Sequence, residues 1–247
     1  MADSTEGTHQ SSITGDARIS LGLVWFVVVM AVLWVDLAMF AVVLGVLAGV
    51  AGWQSTARMG SVKLLAGAVA TVSVLSAGLD PTVAGALVLA GVVGTVVLAV
   101  VGADTRSPAV ARVGVLLAGW VPPVVGACSV VAVARVELGS AVVLMWAMAI
   151  GDAGTYLVGY GAARRWVGPL AGAVGIVAVL HMSVQLGIPP LDPATVASHS
   201  LVLAVALPLG PVVCRALVPA PGRALRRLDA LVVAGPLWWL LVERLMG

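Results

Sequence analysis

An ionisable side chain inside a long apolar segment is costly unless it is paired or hydrated, so the few that occur here mark where chemistry is possible. Asp152 is the clearest of them. It lies in the stretch Gly151-Asp152-Ala153-Gly154-Thr155-Tyr156-Leu157-Val158-Gly159-Tyr160, which contains both tyrosines of the chain. On a helix, Asp152, Tyr156 and Tyr160 fall at i, i+4 and i+8 and share a face. A carboxylate and two phenols so aligned can hold a metal ion or order a polar headgroup. The alternative is an aspartate bonded to a neighbouring helix, with the tyrosines serving as interface belt residues.

A second cluster, Pro221-Gly222-Arg223-Ala224-Leu225-Arg226-Arg227-Leu228-Asp229, leads into the last apolar segment. Arg223, Arg226 and Arg227 would attract phosphates, and they are also what cytoplasmic retention of basic residues produces. Asp229 is expected in the first turn of the final helix, where a carboxylate complements the dipole and caps free amides.

The other polar residues point to structural roles. His181 is expected to bond to a neighbouring helix and His199 to sit at an interface. No His pair has metal-ligand spacing, and no Ser, His and Asp set suggests a hydrolase. Asp80-Pro81 and Asp192-Pro193 read as helix starts, each with an Asp cap and Pro at the first position. Asp36 falls in a turn at the same side. Cys128 and Cys214 lie in apolar runs and read as small core residues. Trp53, Trp166 and Trp238-Trp239 fit interfacial anchors or packing.

The elements that must position these groups follow from composition. The chain of 247 residues is 61% hydrophobic and 10% charged, which leaves too little polar surface for a soluble domain. Nothing in the charge pattern supports nucleic-acid binding. Residues 1–17 are polar and read as a disordered cytoplasmic tail, and 18–247 as a transmembrane helical domain. Apolar segments near 19–35, 37–54, 62–79, 82–103, 112–134, 139–162, 168–188, 197–217 and 229–245 predict an all-α polytopic bundle of about nine spans. With the N-terminus cytoplasmic, all 13 Lys and Arg residues except Arg135 and Arg244 fall on the cytoplasmic side. Spacings such as Gly45, Gly49, Gly52 and Gly168, Gly172, Gly175 predict close helix approach. Pro122, Pro123, Pro208, Pro211 and Pro236 are expected to kink spans and free carbonyls.

At its two polar clusters the chain resembles the membrane-embedded phosphatidate cytidylyltransferases, or CDP-diacylglycerol synthases. Asp152, Gly154, Tyr156 and Gly159 fall in register with the family's Asp-x-Gly-Ala-Tyr-x-x-Gly-Arg motif. Pro221-Gly222 and Arg227-Leu228-Asp229-Ala230 resemble, in a compressed form, the Pro-Gly-His-Gly-Gly and Asp-Arg-x-Asp-Ser signature before the final helix. Trp53-Gln54 is similar to a Trp-Glu ending of an early span. The chain departs from the pattern in lacking the signature His, in having Arg226 where the first Asp of the pair would stand, and in having Tyr160 where the motif has Arg. A Ser-Pro-Lys-Lys-Thr-like loop is also absent, and Lys63 is the only lysine. Arg215 is the residue available to stand in for a family lysine.

The resemblance implies a cell-membrane enzyme that transfers CMP from CTP to phosphatidate, giving CDP-diacylglycerol and pyrophosphate. It implies Mg²⁺ held by Asp152 and Asp229, phosphate contacts from Arg223, Arg226 and Arg227, substrate contacts from Tyr156 and Tyr160, membrane lipid as partner, and a homodimer. Two other readings stand beside it. One is a relative that keeps the fold without catalysis and binds lipid or a membrane partner; the other is a small transporter using Asp152 as a proton or cation site.

Overall fold

A computed structural model describes residues 22, 24–60, 62–102, 109–164, 166–218 and 221–246. The segment 1–17 read as a tail, together with Arg18, Arg106 and Arg165, lies outside the described residues. Among the described residues the protein is all-helical. The helices are α1 (Val24–Val35), α2 (Leu37–Ser55), α3 (Val62–Leu79), α4 (Pro81–Val101), α5 (Ala109–Val136), α6 (Leu138–Gly159), α7 (Val167–Gln185), α8 (Val196–Leu217) and α9 (Leu225–Met246). Each predicted segment corresponds to one helix. Seven of them, α2 to α8, are long and apolar enough to cross a membrane. The described part of α1 is shorter, and α9 carries Arg226, Arg227 and Asp229 near its start and Glu243 and Arg244 near its end.

Three of the helix reversals are made by a single carboxylate residue. Asp36 separates α1 from α2, Asp80 separates α3 from α4, and Glu137 separates α5 from α6. The amide of each closes the preceding helix, bonding to the carbonyls of Val32, Ser76 and Val133 respectively. The side chain of each caps the next helix, accepting from the amides of Ala38 (3.2 Å), Thr82 (2.7 Å) and Gly139 (3.1 Å). A residue in extended conformation breaks the helix, and its carboxylate satisfies an amide that has no intrahelical partner. Pro81 occupies the first turn of α4 as expected. Asp192 behaves somewhat differently. It accepts from Ala194 (2.7 Å) and Thr195 (2.8 Å), so it caps a turn over 193–195, and α8 begins only at Val196.

The apolar packing is close because the residues at helix crossings are small. A Cβ on Gly49 would collide with Thr71 and sit 2.9 Å from the Gly67 carbonyl, and one on Gly172 would sit 2.6 Å from the Gly151 carbonyl. A Cβ on Gly154 would lie 3.1 Å from the Ala171 carbonyl, and one on Gly159 would lie 3.1 Å from the Gly168 Cα. These crossings bring α2 against α3 and α6 against α7, the mode of association available where lipid gives no hydrophobic drive between helices. Pro122 and Pro123 lie inside α5, Pro208 and Pro211 inside α8, and Pro236 inside α9. α5 is the most buried of the membrane-length helices and α4 the least. Trp120, Trp238, Phe40, Leu144 and Leu203 fill the interior, while Leu64, Leu89, Val110 and Leu201 project outward. Outward apolar side chains suit a surface that meets hydrocarbon.

Candidate functional site

Asp152 and Tyr156 sit on α6, Arg226, Arg227 and Asp229 on α9, and all five line one cavity of about 660 Å³. The two polar clusters, separated by some 70 residues of sequence, are therefore brought together. The remaining walls are apolar: Trp25 and Phe26 from α1, Met145 and Met148 from α6, Val179 and Met182 from α7. Asp152 and Arg226 are accessible at this surface, and Tyr156, Arg227 and Asp229 are half-buried.

The charges act on one another across the cavity. Asp152 lies within the field of Arg227; Asp229 feels Asp152, Arg215 and Arg226. Two carboxylates and the two guanidinium groups of α9 thus share a partly apolar space, where such interactions are less screened than in water, and Arg215 stands outside its lining. The Ala230 amide donates to one Asp229 oxygen at 2.8 Å. Arg215, on α8, donates through Nε to the Pro211 carbonyl at 3.1 Å.

The local structure explains the arrangement and corrects several expectations. The motif glycines have a packing role, since Gly154 and Gly159 face α7 while Asp152 and Tyr156 face the cavity. Tyr160 does not continue the face of Asp152 and Tyr156. α6 ends at Gly159, Tyr160 is its extended C-terminal cap, and Gly161 follows at φ +74°, a conformation that glycine adopts without a Cβ penalty. Tyr160 is exposed and away from the cavity lining, with its ring centroid 5.9 Å from that of Tyr156.

Asp229 is not an N-terminal cap, because α9 begins at Leu225 and places it in the second turn. This earlier start puts Arg226 and Arg227 on the helix and leaves Arg223 before it, exposed and outside the lining. His181 is exposed and bonds to the Val177 carbonyl of its own helix at 2.9 Å, instead of bridging to a neighbour. His199, near the start of α8, is buried between helices; it contacts the Thr195 carbonyl at 2.7 Å and lies edge-on to Trp238. Cys214 is buried, as expected of a core residue; Cys128 is half-buried, with its thiol 3.6 Å from the Ser73 carbonyl. Lys63 lies over the Trp53 ring, 6.0 Å from its centroid.

The site includes groups that sequence reasoning passed over. Trp25, Phe26 and the methionines of α6 and α7 carried no signal beyond hydrophobicity, since a wall residue and a lipid-facing residue are alike in sequence. Glu137 was also passed over, although its position before Leu138-Gly139 repeats the pattern of Asp36 and Asp80.

A second cavity, of about 400 Å³ between α3, α4 and α5, has Ser73 and Thr95 as its hydroxyl-bearing residues and no ionisable side chain in its lining. Of the two cavities, the first is therefore the one with ionisable side chains. Among the described residues no group of three or more His, Cys, Asp and Glu side chains forms a metal cage. Mg²⁺ commonly binds through one or two carboxylates while keeping water and substrate phosphates, and the two hard oxygen donors Asp152 and Asp229 fit that mode. Compared with known proteins, the chain matches no family model and no curated protein.

Proposed function

We propose that this protein is a membrane-embedded cytidylyltransferase that joins CTP to phosphatidate in the cell membrane. The observation that supports this reading is the convergence of Asp152, Arg226, Arg227 and Asp229 on one cavity whose other walls are aromatic and aliphatic. An anionic lipid has both characters, a phosphate for the arginines and acyl chains for Trp25, Phe26 and the methionines. In the proposed topology all nine helices span the bilayer with the N-terminus cytoplasmic. The start of α9 then faces the compartment that holds nucleotide, and Arg223 attracts the triphosphate at the mouth.

In the reaction a phosphate oxygen of phosphatidate attacks the α-phosphorus of CTP. The bond to the β-phosphate breaks, and CDP-diacylglycerol and pyrophosphate form. Two anions must approach, so the site has to neutralise charge. Arg226 and Arg227 present planar guanidinium groups suited to phosphate oxygens, and Tyr156 donates its hydroxyl to a headgroup oxygen. Asp152 and Asp229 would hold Mg²⁺, which when bound supplies charge neutralisation on the triphosphate. The apolar walls orient the lipid and exclude water.

CMP transfer from labelled CTP to phosphatidate by the purified protein with Mg²⁺ tests this directly. Product formation that is lost in both Asp152→Asn and Asp229→Asn is the expected result; absence of turnover from folded wild-type protein would overturn it. Among the described residues only two carboxylates line the cavity, and this favours, as the second reading, a relative that binds phosphatidate without transferring to it.

A further inference from the structure

The start of α9 carries the cavity's arginines but has no capping side chain of its own. The residues that precede its first regular turn are Gly222, Arg223 and Ala224, none of which offers an acceptor side chain. The Arg226 amide bonds to the Gly222 carbonyl at 3.4 Å and the Arg227 amide to the Ala224 carbonyl at 3.0 Å. The Ala224 amide is served from another helix: it donates to Gln54 Oε1 at 3.2 Å, across 170 residues of sequence. Gln54 lies in the last turn of α2.

Gly222 is part of the same joint. A Cβ there would collide with Gln54 Oε1 and lie 2.5 Å from the Gln54 Cβ. Beneath this contact, Ala51 of α2, Cys214 of α8 and Leu225 of α9 pack into a small apolar cluster of their own. The ends of three helices thus meet at one point, and among the described residues the bond from the Ala224 amide to Gln54 is the polar link there between the end of α2 and the start of α9. Gln54 does not line the cavity.

We propose that Gln54 is a positioning residue that caps α9 in place of a local cap and thereby sets where Arg226, Arg227 and Asp229 stand in the cavity. Without its carbonyl, the Ala224 amide is unsatisfied and the first turn of α9 frays, because an unpaired helix-end amide away from bulk water is costly. The two arginines belong to that turn.

Hydrogen exchange over residues 221–229 tests the cap without reference to any reaction. Gln54→Leu removes the acceptor at similar volume, and Gln54→Asn keeps the amide one methylene out of reach, so it serves if the leucine variant fails to fold. Gln54→Glu keeps an acceptor and adds charge favourable at a helix N-terminus. Exchange about tenfold faster in the Leu and Asn variants, with the Glu variant like wild type, is the expected pattern, a tenfold factor being that of one ordinary hydrogen bond. Unchanged exchange in both, or equally fast exchange in the Glu variant, would overturn the proposal.

The second readout rests on the lipid reading above: the ratio of phosphatidate to phosphatidylcholine retained from mixed micelles. It should fall in the Leu and Asn variants and be restored by Glu. A retained ratio that ignores the exchange change would overturn the positioning of the arginines. A wild-type protein with no phosphatidate preference would count against the lipid reading alone, since the exchange pattern still decides the cap.

Discussion

Five carboxylates among the described residues divide between two ends of the bundle, and they do different things there. At the end where α1 meets α2, α3 meets α4 and α5 meets α6, Asp36, Asp80 and Glu137 are spent on backbone amides, each closing one helix and opening the next. At the other end, where α6 finishes and α9 begins, Asp152 and Asp229 cap no helix and face arginines across a cavity. All five residues are short acids beside apolar runs. What separates a structural acid from a candidate catalytic one is the partner of its oxygens: an amide of the next turn, or an open space shared with cations.

The comparison is broken most severely by neutralising one acid at each end. Asp229→Asn should lower CMP transfer by about a hundredfold or more, the scale of losing a charge-stabilising group in a reacting site. Folding should survive, because Asn can still accept from the Ala230 amide. Glu137→Ala should leave transfer near wild type. Equal losses in the two variants would erase the distinction between the ends.

A smaller contrast lies within the arginines. Arg227→Gln should raise the KM for phosphatidate about tenfold through loss of a charge-assisted contact, while Arg223→Gln, outside the cavity lining, should change it little. Steady-state kinetics against phosphatidate in mixed micelles separates them, and a larger effect at Arg223 would shift the binding site toward the loop.

At the capping end the expected effects are on stability. Glu137→Ala should cost about 1 kcal/mol, the usual worth of an N-terminal cap, read as a lower Tm in detergent. The smallest effect is that of pH on Asp80 and Asp192. Donation from the Thr82 amide holds the Asp80 carboxyl below the usual carboxylate range, and donation from the Thr195 amide does the same for Asp192. Folding lowers both, so their contribution is complete above the ordinary carboxylate value of about 4 and is lost as pH falls through the folded one. Tm should therefore drop at the acid limit, and Asp80→Asn with Asp192→Asn should flatten that limb.

Much of the fold was legible because hydrophobic length is a local property. The segment 62–79 coincides with α3, and the other predicted segments differ from their helices by a few residues at either end. The errors lie where a helix end depends on something distant. α9 starts at Leu225 and not near Asp229, since Gln54 supplies the cap that the local sequence lacks, and this one shift changes Asp229 from a cap into a cavity residue. Tyr160 was placed on the face of α6 by period alone, whereas Gly161 ends that helix one turn sooner.

The sequence by itself determined that the chain is a bundle of apolar helices, that Asp80 could cap a following helix, and that Asp152 and the arginine cluster were the places to look for chemistry. These follow from composition, spacing and the cost of a charge in an apolar run, which act over a few residues. That Asp152, Tyr156, Arg226, Arg227 and Asp229 share a cavity, and that Tyr160 and Arg223 stand outside it, was decided only by tertiary structure. Such convergence depends on the close crossing of α6 on α7 and on the cap that α2 lends to α9, contacts between segments that no local pattern relates.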